Sequence, residues 1–280
     1  MIKIIKHQVS FMLRQNIALM VFYILLAIAL LNFCINVMTF QGSDIIEMYH
    51  PAKLLVLSYN QVYNNMDLML LLIQVYPILI VCPAGFALLS EKKRKTDCVI
   101  IARIGSVQYY LGKIIAAFFV TMIVFVLPFL IEYGLNCVSF PMAADGDFID
   151  LNWYSTQYIE LTSNYRLSTL FYANSYLYTL LGIFFFGIVS GIIGMFTVAL
   201  SEIIQFRFKL LLFLPIYVLL NIYLYLPAIT DRLPFTIKWY DYILLFDDVV
   251  KDDAFFVGVL IALVLISIAC SVASGKRDRL

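Results

Sequence analysis

The side chains that carry out covalent or metal chemistry are scarce in this sequence and lie at unhelpful spacings. The 280 residues include two histidines and five cysteines, and no two cysteines have the CxxC spacing of a zinc or redox site. Cys34 and Cys137 both fall towards the same predicted side of a membrane, where they either pair or remain free thiols. The HExxH, GxSxG and phosphate-loop motifs are absent. We therefore predict no catalytic residue, no metal and no cofactor on this chain.

One acid, Glu132, lies inside a long apolar run, about one turn from the predicted outer boundary of that run. Acids at the centre of a bilayer mark ion-coupled sites, whereas an acid near the boundary can extend its carboxylate towards the headgroups. We interpret Glu132 as an interfacial acid. This interpretation disfavours both an ion-coupled pump and an intramembrane enzyme.

The composition is typical of a membrane protein. Hydrophobic residues make up 63% of the chain and charged residues 13%, against about 45–50% and about 25% in soluble domains. Apolar runs of about 18 or more residues fit the hydrocarbon core, where the backbone must be helical. We predict an all-α integral membrane protein with six transmembrane helices. The predicted spans are residues 17–40, 67–90, 108–134, 171–200, 210–226 and 254–274, and the outer loops are 41–66, 135–170 and 227–253.

Residues 1–16 form a separate amphipathic pattern before the first span. Lys3, Lys6 and Arg14 share one polar sector of a helical wheel, opposite an apolar sector. Such a helix lies along the inner leaflet with its bases facing anionic lipid headgroups. The apolar run that follows is longer than the core of a secretion signal, so we expect it to remain in the mature chain.

Basic residues are unequally divided between the two sides of the predicted topology. With the N-terminus inside, 14 of the 19 Lys and Arg residues lie on the inner side, and 14 of the 18 acids lie outside or at the outer boundary. The positive-inside rule then places both termini in the cytoplasm. We expect a multi-pass protein of a cell membrane, taken to be a bacterial plasma membrane.

Three glycines in the sequence FGIVSGIIGMF form a line of small residues on one helix face. Gly187, Gly191 and Gly194 recur at helical spacing, which lets another helix approach closely. Two interpretations stay open: packing within one subunit, or a moving or intersubunit contact.

Residues 90–113, SEKKRKTDCVIIARIGSVQYYLGK, separate the second and third predicted spans. Five consecutive charges, Glu91 to Lys95, anchor the loop on the inner side. Residues 96–106 then fit a short amphipathic helix that has Ile100, Ile101 and Ile104 on one side and ends at Gly105. A cytosolic helix of this kind offers a docking surface to a partner protein.

This layout resembles the membrane subunits of type-two ABC exporters, permeases that work with separate ATP-binding subunits. That family has a basic N-terminal amphipathic helix, six spans, and a Glu-led coupling helix followed by a Gly-Lys pair between spans two and three. Glu91 matches the leading Glu, residues 96–106 match the coupling helix and QYYLGK matches its exit. The chain lacks the Gly-Thr and the Pro that the family often carries in this stretch.

The resemblance implies a permease whose partner ATPase binds ATP and magnesium, and a second permease copy, identical or related. Apolar spans with few charges favour an amphipathic or hydrophobic substrate, with a peptide preferred. Membrane lipids are expected partners and nucleic acid is not. The alternative is a non-transporting sensor or scaffold subunit whose outer loops bind a ligand. The residues expected to dock the ATPase are Glu91, Thr96, Ile100, Ile101, Arg103, Ile104 and Gly105.

The charge distribution makes a direct prediction about topology. A reporter fused after Leu280 or inserted beside Lys93 is expected to be cytosolic, and one inserted beside Asp147 is expected to be external, because basic loops stay inside. Protease protection or reporter activity in intact cells measures each position. An external reporter at Lys93 would contradict the predicted orientation.

Overall fold

The computed structural model describes residues 2–44, 48–59, 66–94, 101–102, 105–141, 167–204, 209–225, 233–247 and 249–277. Within these ranges the protein is helical and forms no β-strand, and an isolated parallel bridge joins Ser58 to Leu245. The α-helices are α1 (Ile2–Leu13), α2 (Asn16–Thr39), α3 (Met66–Arg94), α4 (Ser106–Ser139), α5 (Ser168–Ala173), α6 (Ser175–Ile203), α7 (Phe213–Leu220), α8 (Ile222–Tyr225) and α9 (Asp253–Arg277). Short 3-10 helices cover Pro51–Leu54, Lys209–Leu212 and Trp239–Tyr242.

Five helices in the described part are long and apolar enough to cross a bilayer: α2, the Asp67–Phe86 part of α3, α4, α6 and α9. The prediction of an all-helical protein is therefore confirmed for the described residues, and the five apolar helices support the prediction of a membrane protein. Two boundaries differ from the sequence expectation. Helix α4 continues to Ser139, so the outer loop predicted to begin at 135 starts later. The span predicted from residue 171 is divided at Asn174, whose side chain caps α6 by accepting a hydrogen bond from the Leu177 N–H at 3.0 Å.

The six-span count is not confirmed, because residues 210–226 do not form one long helix. This segment contains the Lys209–Leu212 turn, then α7 and α8, which are separated at Asn221. Each piece is too short to cross a hydrocarbon core that needs about 20 helical residues. A Cβ placed on Gly85 of α3 would lie 2.8 Å from the Leu212 side chain, and the Tyr223 ring lies 6.1 Å from that of Tyr240.

Helix α4 is the centre of the bundle, packing against α1, α2, α3, α6, α9 and the Pro51–Leu54 turn. Its closest contacts with α6 occur at the glycine line. An added Cβ on Gly187 would collide with Val126, and one on Gly194 would collide with Thr121. The three glycines of the line therefore contact α4 of the same chain. Of the two interpretations left open by the sequence, this is packing within one subunit.

The bundle has two distinguishable ends. One end, which we call the terminal end, contains the first helix and the end of the last. There, α1 lies beside the beginning of α4, and Gly275 near the end of α9 contacts Val107 of α4. At the loop end, residues 48–59 and 233–247 lie against the final turns of α4 and the beginning of α6. Their backbones are joined by hydrogen bonds from the Leu245 N–H to the Leu57 carbonyl and from the Tyr59 N–H to the Leu245 carbonyl, both 2.8 Å.

The loop-end segment 233–247 enters the bundle and does not form a surface helix. The Trp239 ring stacks on Tyr76 of α3 at 4.4 Å and 19°, about 15 Å along α3 from its first residue at 1.5 Å per residue. The Tyr242 ring stacks on Phe256 of α9 at 4.4 Å and 4°. These contacts give the aromatic residues of the segment a buried packing role.

The cysteine pairing left open above does not form. Cys34 and Cys137 are both free thiols in the structure, and Cys34 is exposed on α2.

Glycine-to-alanine substitution is expected to have opposite effects on stability at Gly191, which belongs to the glycine line, and at Gly258, which does not. Gly191→Ala places a methyl group about 2.9 Å from the Phe118 carbonyl oxygen and is expected to destabilise the fold by about 1–3 kcal/mol, as overpacking does. Gly258→Ala, where an added Cβ meets nothing within 4 Å, is expected to be neutral or stabilising by up to about 1 kcal/mol, because alanine favours helix.

Thermal unfolding of the purified protein in detergent measures both variants. A Tm for Gly191→Ala equal to or above that of Gly258→Ala would contradict the close contact between α4 and α6.

Candidate functional site

The predicted docking segment joins α4 through a backbone turn at Gly105. Gly105 has φ of 90°, a conformation that glycine adopts without the steric cost of a Cβ. Its N–H donates to the Ile101 carbonyl at 2.8 Å, and its own carbonyl accepts from the Tyr109 N–H at 3.1 Å. Hydrogen bonds thus connect the last part of the segment to the first turn of α4.

Ile101 of the segment also packs against the chain itself. Its half-buried side chain contacts a cluster formed by Tyr109 and Tyr110, which are 1% and 3% exposed. The two tyrosine rings lie edge to face, 5.2 Å apart. Ile101 therefore contributes to the internal packing of α4, and only part of its surface remains for a partner.

Lys113, at the end of QYYLGK, is fully buried on α4. Its Nζ donates to the Tyr109 hydroxyl at 3.0 Å and lies 5.0 Å from the centre of the Tyr109 ring. An ammonium group removed from water needs such polar and aromatic contacts to offset its desolvation. The side chain consequently fixes the position of Tyr109, the same residue that contacts Ile101.

Helix α1 crosses α4 at a glycine. A Cβ on Gly112 would lie 3.3 Å from Ile4 Cγ2 and 3.6 Å from Gln8 Oε1, so a larger residue would push α1 outwards. Gln8 and Met12 of α1 are buried, whereas Lys6 of α1 and Arg14, which follows the helix, are exposed. The predicted helix forms with an exposed basic side, and its position on a membrane surface stays a prediction.

A further polar contact joins the ends of α6 and α9 near this region. The Ser271 hydroxyl of α9 donates to Glu202 Oε2 of α6 at 2.6 Å, and both residues are about 1% exposed or less. The terminal end therefore combines α1, the Gly105 turn, the beginning of α4 and the last turns of α6 and α9.

The predicted site residues are only partly covered by the structure. Ile101 and Gly105 lie in the turn described above, and Lys6 and Arg14 are exposed at α1. The backbone positions of Lys3 and Glu91 fall in α1 and α3, but their side chains lie outside the described part. Thr96, Ile100, Arg103 and Ile104 lie outside the described residues, so the predicted helix over 96–106 stays a prediction.

A second polar cluster lies at the loop end and corrects the interpretation of Glu132. Glu132 is fully buried, so it does not extend its carboxylate to the headgroups as an interfacial acid. Its Oε1 accepts from Asn32 Nδ2 at 2.6 Å and from the Val56 N–H at 3.0 Å. The Leu54 carbonyl accepts from Asn32 Nδ2 at 2.7 Å and from Asn36 Nδ2 at 2.8 Å.

The spacing of polar residues in the sequence is a signal for this cluster. Asn32 and Asn36 lie four residues apart in one apolar run, and Glu132 and Asn136 lie four residues apart in another. Residues at this spacing share a helix face. All four are buried, so the paired spacing of polar residues marked two helix faces that meet.

Asp241 is a further buried acid in the loop-end segment. Burial raises the pKa of its carboxyl, and the hydrogen bond donated by Thr236 Oγ1 opposes that rise. Lys251 and Asp247 form an ion pair close by, with Nζ 3.3 Å from Oδ2. These contacts are internal to the loop end and stabilise the segment where it enters the bundle.

The residues described by the structure contain no group of three or more His, Cys, Asp or Glu side chains that could hold a metal ion. Comparisons with family models, curated proteins and solved structures give no match for this chain.

The Tyr109 hydroxyl is expected to stabilise the fold through its hydrogen bond with Lys113. Tyr109→Phe removes this hydrogen bond from a buried ammonium and should destabilise the fold by about 1.5–3 kcal/mol, the range for hydrogen bonds to charged groups. In a Lys113→Met background the same change should cost less, because no ammonium remains to be satisfied.

A double-mutant cycle on the Tm values of the four proteins measures this coupling. Equal effects of Tyr109→Phe in the two backgrounds would show that the hydroxyl does not serve Lys113.

Proposed function

We propose that this chain is the membrane subunit of an ATP-binding-cassette exporter. It forms, with a second permease copy, the path for an amphipathic or hydrophobic substrate, and separate ATPase subunits bind ATP and magnesium. Both termini and the segment between α3 and α4 face the cytosol. Residues 209–225, between α6 and α9, together cross the membrane once and bring the number of crossings to six.

The observation that carries this proposal is the connection of the predicted docking segment to the central helix. Hydrogen bonds through Gly105 and the packing of Ile101 on Tyr109 and Tyr110 join the segment to α4. A force applied to the segment by a partner would therefore act on α4. Because α4 contacts every other long helix and packed cores respond by switching between discrete arrangements, a push at this point would rearrange the bundle.

The proposal of a second permease copy is supported by the filled interior of the subunit. Tyr76, Phe125 and Phe186 are fully or almost fully buried, with ring centres 5.6–5.8 Å apart in the middle of the bundle. The Tyr76 hydroxyl lies 3.0 Å from that of Ser190. A core packed in this way is not a pore, so a substrate path fits better on a face that two copies share.

The apolar nature of the exposed helix faces supports the proposal of an amphipathic or hydrophobic substrate, for which a peptide remains our preferred class. Many exposed side chains between the ends of α2 and α9 are large and apolar, which suits lipid, a second copy and an apolar substrate alike. They include Leu19, Met20, Tyr23, Leu30, Leu31, Ile261, Leu265 and Ile266.

Substitution of the isoleucines tests whether residues 96–106 dock an ATPase. Ile100→Ser combined with Ile104→Ser is expected to leave membrane insertion and the Tm of the isolated subunit unchanged while abolishing co-purification with the partner ATPase. Each buried isoleucine contributes about 1.5–3 kcal/mol, and about 1.4 kcal/mol is tenfold in affinity. The double variant should therefore weaken association at least a hundredfold.

Ile101→Ser is the matched comparison, because Ile101 packs on the tyrosines of α4. It is expected to lower the Tm of the isolated subunit, which the double variant should not do. Normal co-purification and normal ATP-dependent transport by the double variant would refute a docking role for the segment. Binding of an ATPase without any transport would favour the sensor or scaffold alternative.

A further inference from the structure

The cluster around Glu132 leaves several polar atoms without a partner in a fully buried position. Glu132, Asn32 and Asn136 are each 0% exposed. Glu132 Oε2, Asn32 Oδ1 and both side-chain polar atoms of Asn136 make no hydrogen bond with the residues that the structure describes. Buried polar groups are nearly always satisfied in native proteins, so such a concentration calls for a specific occupant.

The hydrogen bonds that do form show which atoms are available. Glu132 Oε1 accepts from the Asn32 amide and from the Val56 N–H, while the Asn32 amide nitrogen also donates to the Leu54 carbonyl. The unpartnered atoms are therefore mainly oxygens: one carboxylate oxygen and two amide oxygens. Asn136 lies one turn beyond Glu132 on the same face of α4, because residues four apart share a helix face.

The charge of the cluster is also unbalanced. No basic side chain in the described part of the chain forms an ion pair with Glu132. A bare carboxylate in an apolar interior carries a large desolvation cost unless a positive charge accompanies it. The oxygen atoms and the missing charge thus point to the same ligand.

We propose that Glu132, Asn32 and Asn136 form a binding site for a single positive charge. The charge is either a proton on the carboxyl group or an alkali cation held by the carboxylate and amide oxygens, which are the ligands that hard cations prefer. This site is independent of the proposed transport function, because it rests on the contacts of the loop end alone.

The titratable side chains nearest the site are His50, Lys53, Tyr133 and Cys137. The polar side chains of α2 at the site are the uncharged amides of Asn32 and Asn36. The imidazole of His50 accepts from the Ala52 N–H at 3.2 Å and lies 3.2 Å from the Ser175 hydroxyl, while Lys53 is half-buried. On α4, the Tyr133 hydroxyl donates to the Tyr176 carbonyl at 3.3 Å, and Cys137 is a half-buried thiol.

Occupancy of the site would control the segment that covers it. Glu132 and the two α2 amides hold the Val56 N–H and the Leu54 carbonyl of residues 51–56. With a positive charge present, the carboxyl group remains buried and these bonds persist. Loss of the charge would leave a bare buried carboxylate, which is relieved when the segment moves and water enters.

The test uses the full chain in lipid nanodiscs near neutral pH, comparing wild type with Glu132→Gln. The matched control is Asp67→Asn, a carboxylate-to-amide change at the exposed first turn of α3. One measurement is the Tm in sodium, potassium or lithium chloride against an organic-cation chloride of equal ionic strength. The other is the infrared carbonyl band of a protonated carboxylic acid in alkali-free buffer.

If an alkali cation fills the site, the wild-type Tm rises by about 5–10 °C at a hundredfold excess over Kd. Glu132→Gln does not respond, and Asp67→Asn responds as wild type does. If a proton fills it, the difference spectrum between wild type and Glu132→Gln contains a carboxylic acid band, whereas the difference spectrum between wild type and Asp67→Asn does not.

A second variant keeps the test decisive if Glu132→Gln does not fold. Asn136→Ala retains the carboxylate, so it should move alkali saturation to at least about tenfold higher concentration, or shift the frequency of the acid band, because an oxygen neighbour is lost. The proposal is overturned if wild type shows neither an alkali-dependent Tm nor a protonated carboxylic acid band. It is equally overturned if Glu132→Gln, or Asn136→Ala in its place, shows the same alkali response and the same acid band as wild type.

Discussion

The close approach of α4 and α6 is the constraint on which the rest of the bundle depends. Gly187, Gly191 and Gly194 remove side-chain volume from one face of α6, so that Val126, Phe118 and Thr121 of α4 reach its backbone. In a bilayer the lipid tails are as apolar as the side chains, so burying apolar side chains gives little free energy. Close van der Waals packing of this kind is therefore a main source of helix association. Once α4 is fixed against α6, the remaining long helices can pack around α4.

The two ends of α4 use this central position in different ways. At the terminal end, Gly112 admits α1 and the Gly105 turn connects the preceding segment, so elements that carry exposed charge are attached to the core helix. At the loop end, Glu132 holds residues 51–56 across the bundle. A displacement of α4 would consequently affect both ends, as the proposed function requires.

Ionisable side chains are rare within the bundle, and the two that are fully buried on α4, Lys113 and Glu132, each contact a polar or aromatic group. Lys113 lies over Tyr109 near one end of α4, and Glu132 bonds to Asn32 and Val56 near the other. Between them the buried face of α4 is almost entirely apolar. This arrangement follows from the cost of desolvating a charge, which falls towards the ends of a span because polar partners become available there.

Much of the fold was determined by the sequence alone. The apolar runs, the amphipathic start and the charge bias depend on local composition and spacing, and five of the six predicted spans correspond to helices long enough to cross a bilayer. Residues 210–226 are also an apolar run, but the described part of this run, residues 210–225, forms only short helical pieces, since an apolar run can be interrupted without any change in its hydropathy.

Only the tertiary structure decided which helix faces meet. The sequence could place Gly187, Gly191 and Gly194 on one face, but the partner of that face depended on how α4 and α6 assemble. The position of Glu132 near the boundary of a span predicts an interfacial acid. Its burial follows from residues 51–56 folding over it, a contact between segments 76 residues apart. Helix formation follows local spacing, whereas burial of a polar side chain depends on distant segments that hydropathy does not identify.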